Sequence, residues 1–328
     1  MAATDAVFPT VPLSAGHYES FFVRAGHPTE PLAVWIRHTV HKPPGAPPRG
    51  SVWFTLFDPA SGPPRASKVS SDDVSAGDGC LIRIGDSRFE PRRAVGAALS
   101  DPLSAAWSLE LEALDAPFEH LPRGWMYTSR LPRTKALSQC PSVRFRGQVT
   151  VDGRTIDVDG WSGTVGHNWG SEHAERWVWL HGIAFDGHPD VWLDATFGRI
   201  KLGAVTVPWI ANAGLSLDGE RHRFGGLQRV RSTQVAAAPG RCEFRLAGSG
   251  ASVRGRVDAD LADTVGWVYA DPAGGEHNVL NCSAAALELV VERDGEAPLT
   301  LHTRNGASYE LGMRERDHGI ALQPFPDG

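Results

Sequence analysis

The chain has 328 residues, 41% hydrophobic and 21% charged, with a formal net charge of −6. That apolar content supports a sizeable core, in about two domains or one large β domain, and excludes a disordered chain. The acidic balance provides no basic field for nucleic acid or anionic lipid.

The opening residues, MAATDAVFPTVPLS, lack a basic segment followed by a continuous apolar one, and no apolar run is long enough for a membrane helix. The four cysteines, Cys80, Cys140, Cys242 and Cys282, are far apart and contain no CxxC pair. Neither a zinc knuckle nor a redox pair is indicated, and the expectation is a soluble, cytoplasmic protein with free thiols.

Helical periodicity is scarce, and short apolar runs alternate with turn clusters. Strands are predicted over 17–25, 32–41, 50–58, 66–70, 80–84, 94–99 and 105–113. The segment 118–141 carries Pro122, Pro132 and Pro141 with little alternation and reads as a junction. The expected units are therefore 1–130 and 131–328. The second half is predicted to hold strands at 144–151, 154–158, 177–185, 191–198, 214–217, 220–224, 227–233, 241–246, 252–259, 287–292 and 299–305. Only 171–176 and 283–286 read as short helices. Four Asp-Gly pairs, at 152, 186, 218 and 294, separate strand-like runs and predict hairpins. The pattern is all-β, in barrels or sandwiches, with no crossover α/β units.

Residues 161–182, WSGTVGHNWGSEHAERWVWLHG, hold four of the eleven tryptophans and three of the thirteen histidines. Gly166 and Gly170 bracket His167, Asn168 and Trp169, which reads as a turn whose backbone approaches something closely. On the following strand, period two places Trp177, Trp179 and His181 on one face. The next strand offers Trp192 and Asp194 on one of its faces, so an aromatic wall containing an imidazole and a carboxyl is expected. Desolvation there raises a carboxyl pKa and suits it to proton donation. The plainer reading is a core stripe in which His181 is merely hydrogen-bonded. Farther upstream, Glu19 shares a face with Phe21 and Val23, and Arg37 lies on the next strand. A buried Glu19–Arg37 ion pair and a catalytic Glu19 are the two alternatives.

No G-x-S-x-G elbow, P-loop or dinucleotide fingerprint occurs. His167, His173, His181 and His188 lack H-x-H spacing, so no metal and no cofactor is expected.

The run Trp161-Ser-Gly-Thr-Val-Gly-His-Asn-Trp-Gly followed by Trp177-Val-Trp resembles the signature of the carotenoid 1,2-hydratase (hydroxyneurosporene synthase), AttH-like and tocopherol cyclase-like superfamily. Tyr18-Glu-Ser-Phe-Phe is similar to the Glu-Trp-Trp-Tyr-like strand of its N-terminal half, and 131–141 resembles bacterial relatives. The likeness is sharp over 161–198 and diffuse elsewhere. It implies two lipocalin-like (calycin) β-barrels packed together around a pocket for a prenylated or polyene substrate. It also implies alkene protonation and capture of the cation by water or an internal hydroxyl, without metal or redox cofactor. In the hydratase pattern an Asp regarded as the proton donor precedes the His; here that residue is Gly166.

The expectation is thus a cofactor-independent cyclase, hydratase or isomerase acting on a hydrophobic isoprenoid or polyketide-like molecule. Its expected catalytic residues are His167, Asp194, Glu19 and His181, with Asn168, Trp169, Trp177, Trp179, Trp192 and Arg37 binding the substrate. His167 and Glu172 are further possible sources of the proton. The alternatives are a non-catalytic lipid or isoprenoid binder of the same fold and a carbohydrate-processing β-sandwich.

Overall fold

In a computed structural model, residues 5–101, 103–202 and 205–325 are described, and they fold almost entirely as β-structure. The first sheet is built from β1 (His17–Gly26), β2 (Ala33–Lys42), β3 (Arg49–Phe57), β4 (Arg65–Ser71), β5 (Val74–Gly77), β6 (Cys80–Ile84) and β7 (Ser87–Glu90). It continues with β8 (Arg93–Ser100), β9 (Leu103–Ala113), β10 (Phe118–Glu119), β11 (Thr134–Val151), β12 (Arg154–Asp157) and β13 (Ser162–Gly170). Its order is β4-β3-β2-β1-β13-β11-β9-β8-β7-β6-β5. Ser67 of β4 reaches the Ala98 carbonyl of β8 at 3.1 Å, so the sheet curls into a nearly closed barrel.

The second sheet begins with β14 (Arg176–Gly182) and β15 (Trp192–Arg199). After the small β16 (Lys201–Leu202) and β17 (Val205–Thr206) hairpin come β18 (Ile210–Leu217), β19 (Glu220–Gly225) and β20 (Gln234–Ala238). It is completed by β21 (Arg241–Ala247), β22 (Ala251–Asp258), β23 (Val265–Ala270), β24 (Glu276–Arg293) and β25 (Leu299–Met313). The order β19-β18-β15-β14-β25-β24-β22-β21-β20 forms a curled half-barrel, giving two lipocalin-like domains. No helix of the described residues is long and apolar enough to cross a membrane, and the four cysteines are free.

The turn chemistry acts where it was expected. Asp152-Gly153 and Asp218-Gly219 both take positive φ, at 47° and 81° and at 54° and 79°, and close tight hairpins. Several local expectations are corrected. Gly166–Gly170 is not a turn but the end of β13, a central strand hydrogen-bonded to β1 and β11. Residues 171–175 are irregular, 283–286 lie inside β24, and 227–232 form a 3-10 helix instead of a strand. The change of sheet falls between Gly170 and Arg176, so 134–170, assigned to the second unit by a boundary at 130, pairs within the first sheet. The prolines of 118–141 interrupt pairing locally without ending the domain.

Period two divides the first sheet between its two faces. Inward on β1 and β13 point Glu19, Phe21, Val23, Val165, His167 and Trp169, against a core that includes Ile36, Phe54, Leu109 and Phe145. Outward point Tyr18, Ser20, Phe22, Arg24, Gly166 and Asn168, and this face packs on the second sheet. Arg24, fully covered, crosses the junction to donate to the Ser283 carbonyl at 2.6 Å and the Asn305 carbonyl at 3.1 Å. Burial pulls its pKa down to about 10.

Candidate functional site

The contact between the two sheets is a seam rich in polar groups. On the second sheet, register places Thr196, Trp179, Glu310 and Asn281 in one cross-strand row and Asp194, His181 and Ser308 in the next. The first sheet faces them with Phe22, Gly166, Asn168, Ser138 and Arg37. Hydrophobic cover comes from Trp35, Trp53, Trp267 and Tyr269, with Phe22 and Trp177 at the edge.

Asp194 is completely buried at one end of this seam. Its Oδ2 accepts a hydrogen bond from the Ser138 hydroxyl of the opposite sheet, and its Oδ1 accepts from Trp179 Nε1 at 3.1 Å. His120 Nε2 lies 3.1 Å from Ser138 Oγ and 3.5 Å from Asp194 Oδ1. Burial pushes the His120 pKa down, against the upward pull of the Asp194 charge. Beside Asp194 in register, His181 donates from Nε2 to the Pro141 carbonyl at 2.8 Å. Its Nδ1 is then a bare acceptor, buried without a partner. Burial takes His181 down to about 4, with Asp194 and the Pro141 bond opposing.

Farther along the seam, Glu310 accepts from Trp177 Nε1 at 2.9 Å and Tyr269 Oη at 3.1 Å. Arg37 stacks 4.0 Å over the Tyr269 ring and donates from Nε to Ser20 Oγ at 2.6 Å. Phe22, Asn168, Trp177 and Thr196 are only partly covered. Beyond Trp177, His173, Asp271 and His277 form a compact group.

The predicted site residues therefore separate into two places. Asp194, His181, Trp177, Trp179, Trp192, Asn168 and Arg37 lie on the seam face. Trp192 is at its far end, donating to Asp115 Oδ2 at 2.9 Å and packed near Phe118. Glu19, His167 and Trp169 instead lie inside the first barrel. Glu19 accepts from the Val7 and Phe8 amides at 2.8 and 2.7 Å, and bonds His167 Nε2 at 2.8 Å and His17 Nε2 at 3.2 Å. Burial alone would raise its pKa, but the histidine bonds and charges prevail and hold it down to about 2. His167 is sandwiched between Phe21 and Trp169, with centroids at 4.0 and 4.2 Å. Trp169 packs with Tyr127 and Leu137. No single aromatic wall joins Trp169 to Trp177, Trp179 and Trp192, because odd and even positions of β13 face opposite ways.

The Glu19–Arg37 pair is also corrected. Arg37 stands opposite Phe22 in register and shares its outward face, whereas Glu19 points inward. Glu172, on the loop after β13, pairs with exposed Arg133. Sequence reasoning missed His120, Ser138, Glu310, Tyr269, Asp271 and His277. His277, Asn281 and Ser283 do share one face of β24, but polar residues along one face of a strand ordinarily signal solvent.

Fold and seam together define a two-domain, lipocalin-like β protein with a buried polar interface between its sheets. No protein-family model matches the chain. Two uncharacterised proteins of Mycobacterium tuberculosis, from strains CDC 1551 / Oshkosh and H37Rv, are each 26% identical over 317 residues, covering 96% of this chain and 91% of theirs. Among solved structures, a putative AttH from Nitrosomonas europaea superposes with TM-score 0.52 at 16% identity, covering 95% of this chain and 98% of that one. Kievitone hydratase from Nectria haematococca gives 0.55 at 10% identity, covering 95% and 94%. CghA bound to Sch210972 gives 0.55 at 11% identity, covering 91% and 88%. These likenesses establish a shared two-domain fold.

Proposed function

We propose that the chain is a hydratase- or cyclase-type enzyme that protonates a hydrophobic, isoprenoid or polyketide-like small molecule in the seam, with Asp194 as the acid. The observation that carries this reading is the fully buried carboxyl of Asp194, linked through Ser138 to His120 across the sheet junction. Gly166 stands directly opposite both Ser138 and Phe22. In the hydratase pattern this position carries the acid. Here a carboxyl reaches the same neighbourhood from the opposite sheet.

The chemistry follows from the contacts. The contacts of His120 with Ser138 and of Ser138 with Asp194 form a path along which a proton reaches the carboxyl. Asp194 gives that proton to an alkene carbon. The faces of Trp179, Trp177 and Phe22 attract the resulting cation, by about 0.5–2 kcal/mol per ring. Water or a substrate hydroxyl forms the new bond to the cation, oriented by the bare Nδ1 of His181. The proton it releases returns to Asp194 through His120 and Ser138, so no redox partner is consumed. Glu19 has no part in this step: four donors already surround it and it lies inside the barrel.

The reading is supported by the solved neighbours whose names describe a hydratase and a ligand-bound protein of the same fold. The test is incubation of the purified protein with a panel of prenylated phenols and linear polyenes in D2O. The expected product carries one carbon-bound deuteron by mass spectrometry, and Asp194→Asn makes none. Loss of product in Glu310→Gln with full turnover in Asp194→Asn would move the acid to the other end of the seam. Ligand retention with no turnover would leave a binding protein.

A further inference from the structure

We propose that His173, Asp271 and His277 form a binding site for a first-row divalent cation, zinc foremost, at the end of the seam beyond Trp177. His173 lies on the loop joining the two sheets, Asp271 directly follows β23, and His277 is the second residue of β24. One ligand atom from each lies within 4.8 Å of the others.

The Asp271 carboxylate stands between the two rings. Oδ1 is 2.8 Å from His173 Nδ1, and Oδ2 is 3.7 Å from His277 Nδ1. A tetrahedral ion with bonds of about 2.0–2.2 Å holds its ligand atoms roughly 3.3–3.5 Å apart. The His277–Asp271 separation nearly fits already, and the three-residue group must contract by no more than about 1.5 Å.

His277 supplies the independent observation. It is completely buried, yet neither ring nitrogen has a hydrogen-bond partner, and His173 Nε2 is likewise buried and unpartnered. Buried polar atoms are ordinarily satisfied, so an imidazole with both nitrogens idle beside a carboxylate lacks a component that a cation supplies. The rings are held in place. Tyr18 stacks on His173 at 3.9 Å and Trp177 at 5.3 Å, and Trp177 meets His277 edge-on at 5.2 Å. The backbone amide of His173 also donates to Asp271 Oδ1 at 2.8 Å. Arg314 is an opposing charge, 3.8 Å from Asp271 Oδ2. It is 40% exposed and tied to Glu175 at 2.9 Å, so it has room to withdraw toward solvent.

Two imidazoles and a carboxylate suit zinc and its first-row neighbours better than calcium or magnesium. Three protein ligands leave a fourth position for water or a substrate oxygen. The grouping has no local sequence signature, because His173 lies 98 residues before Asp271 and meets it only in the folded protein. This site goes beyond the hydratase–cyclase reading and does not rest on it.

The test uses the full-length protein, stripped with a chelator and titrated with Zn2+ and Co2+ alone. One equivalent of Zn2+ is expected to bind, and Co2+ to give the intense visible bands of a four- or five-coordinate site. Asp271→Asn and His277→Ala are each expected to weaken Zn2+ binding by about 100-fold or more, beyond the usual loss from an outer-shell partner. His302→Ala, at the exposed His302–Asp186 pair, should change nothing. Wild-type protein without the cobalt bands, or His277→Ala protein that binds Zn2+ as tightly as wild type, overturns the site. The wild-type spectrum decides the matter even where a variant does not fold, and neither measurement depends on substrate turnover.

Discussion

A Cβ built on Gly166 would lie 2.1 Å from Cζ of Phe22. The ring of Phe22 thus covers the position from which a side chain of β13 would enter the seam, and it meets Trp179 edge-on at 4.9 Å. An acid on β13 and a phenyl ring on β1 exclude each other here.

The exclusion is measurable as a coupling. Gly166→Ala is expected to destabilise the protein by about 1–3 kcal/mol through overpacking. In Phe22→Ala the same change should cost clearly less, giving a non-additive double-mutant cycle by urea denaturation. Additive costs would mean that Phe22 does not occupy the space.

Glu19 is expected to behave as a structural anion. Glu19→Gln removes the negative partner of His17 and His167 and should cost about 3–5 kcal/mol, read from the denaturation midpoint. Its folded pKa, about 2 against 4.5, lies below the unfolded value. Its contribution is therefore complete above about pH 4.5 and is lost as pH falls toward 2. The acid limb of stability over that window should flatten in Glu19→Gln.

His38 sets a second acid limb at higher pH. It is buried in the barrel against Phe89 and Trp107, with Nε2 unpartnered, and burial lowers its pKa from 6.5 to about 3. The unfolded chain binds this proton first, so stability falls as pH drops below 6.5 and stops falling near 3. At pH 5 the loss from this group is about 2 kcal/mol. His38→Leu should remove that share, seen as a smaller drop in Tm between pH 7 and pH 5 than wild type shows.

Much of this architecture is legible in the sequence wherever local chemistry decides it. The Asp-Gly pairs at 152 and 218 set their turns, and period two aligns Trp177, Trp179 and His181 beside Asp194. What fails is reading long-range contact from local signals. The glycines of 163–170 look like turn residues, but they allow close approach. A Cβ on Gly163 would lie 1.8 Å from the Arg24 carbonyl oxygen, and one on Gly170 would lie 1.9 Å from that of Arg133. His120 is hidden in a proline-rich segment that resembles a linker, although its ring reaches the seam. The parity of β13 is what assigns His167 and Trp169 to the barrel and Asn168 to the seam, and parity is visible only once the stretch is known to be a strand.

The most direct test of the central claim compares wild-type and Asp194→Asn protein in D2O with the prenylated phenol and polyene panel, alongside ligand affinity measured by tryptophan fluorescence. Asp194→Asn keeps the shape of the seam and the Trp179 contact but removes the transferable proton. The expected result is deuterated product from wild type, none from the variant, and ligand affinity within a few-fold of wild type. Undiminished deuterium incorporation by Asp194→Asn would contradict the assignment of Asp194 as the acid.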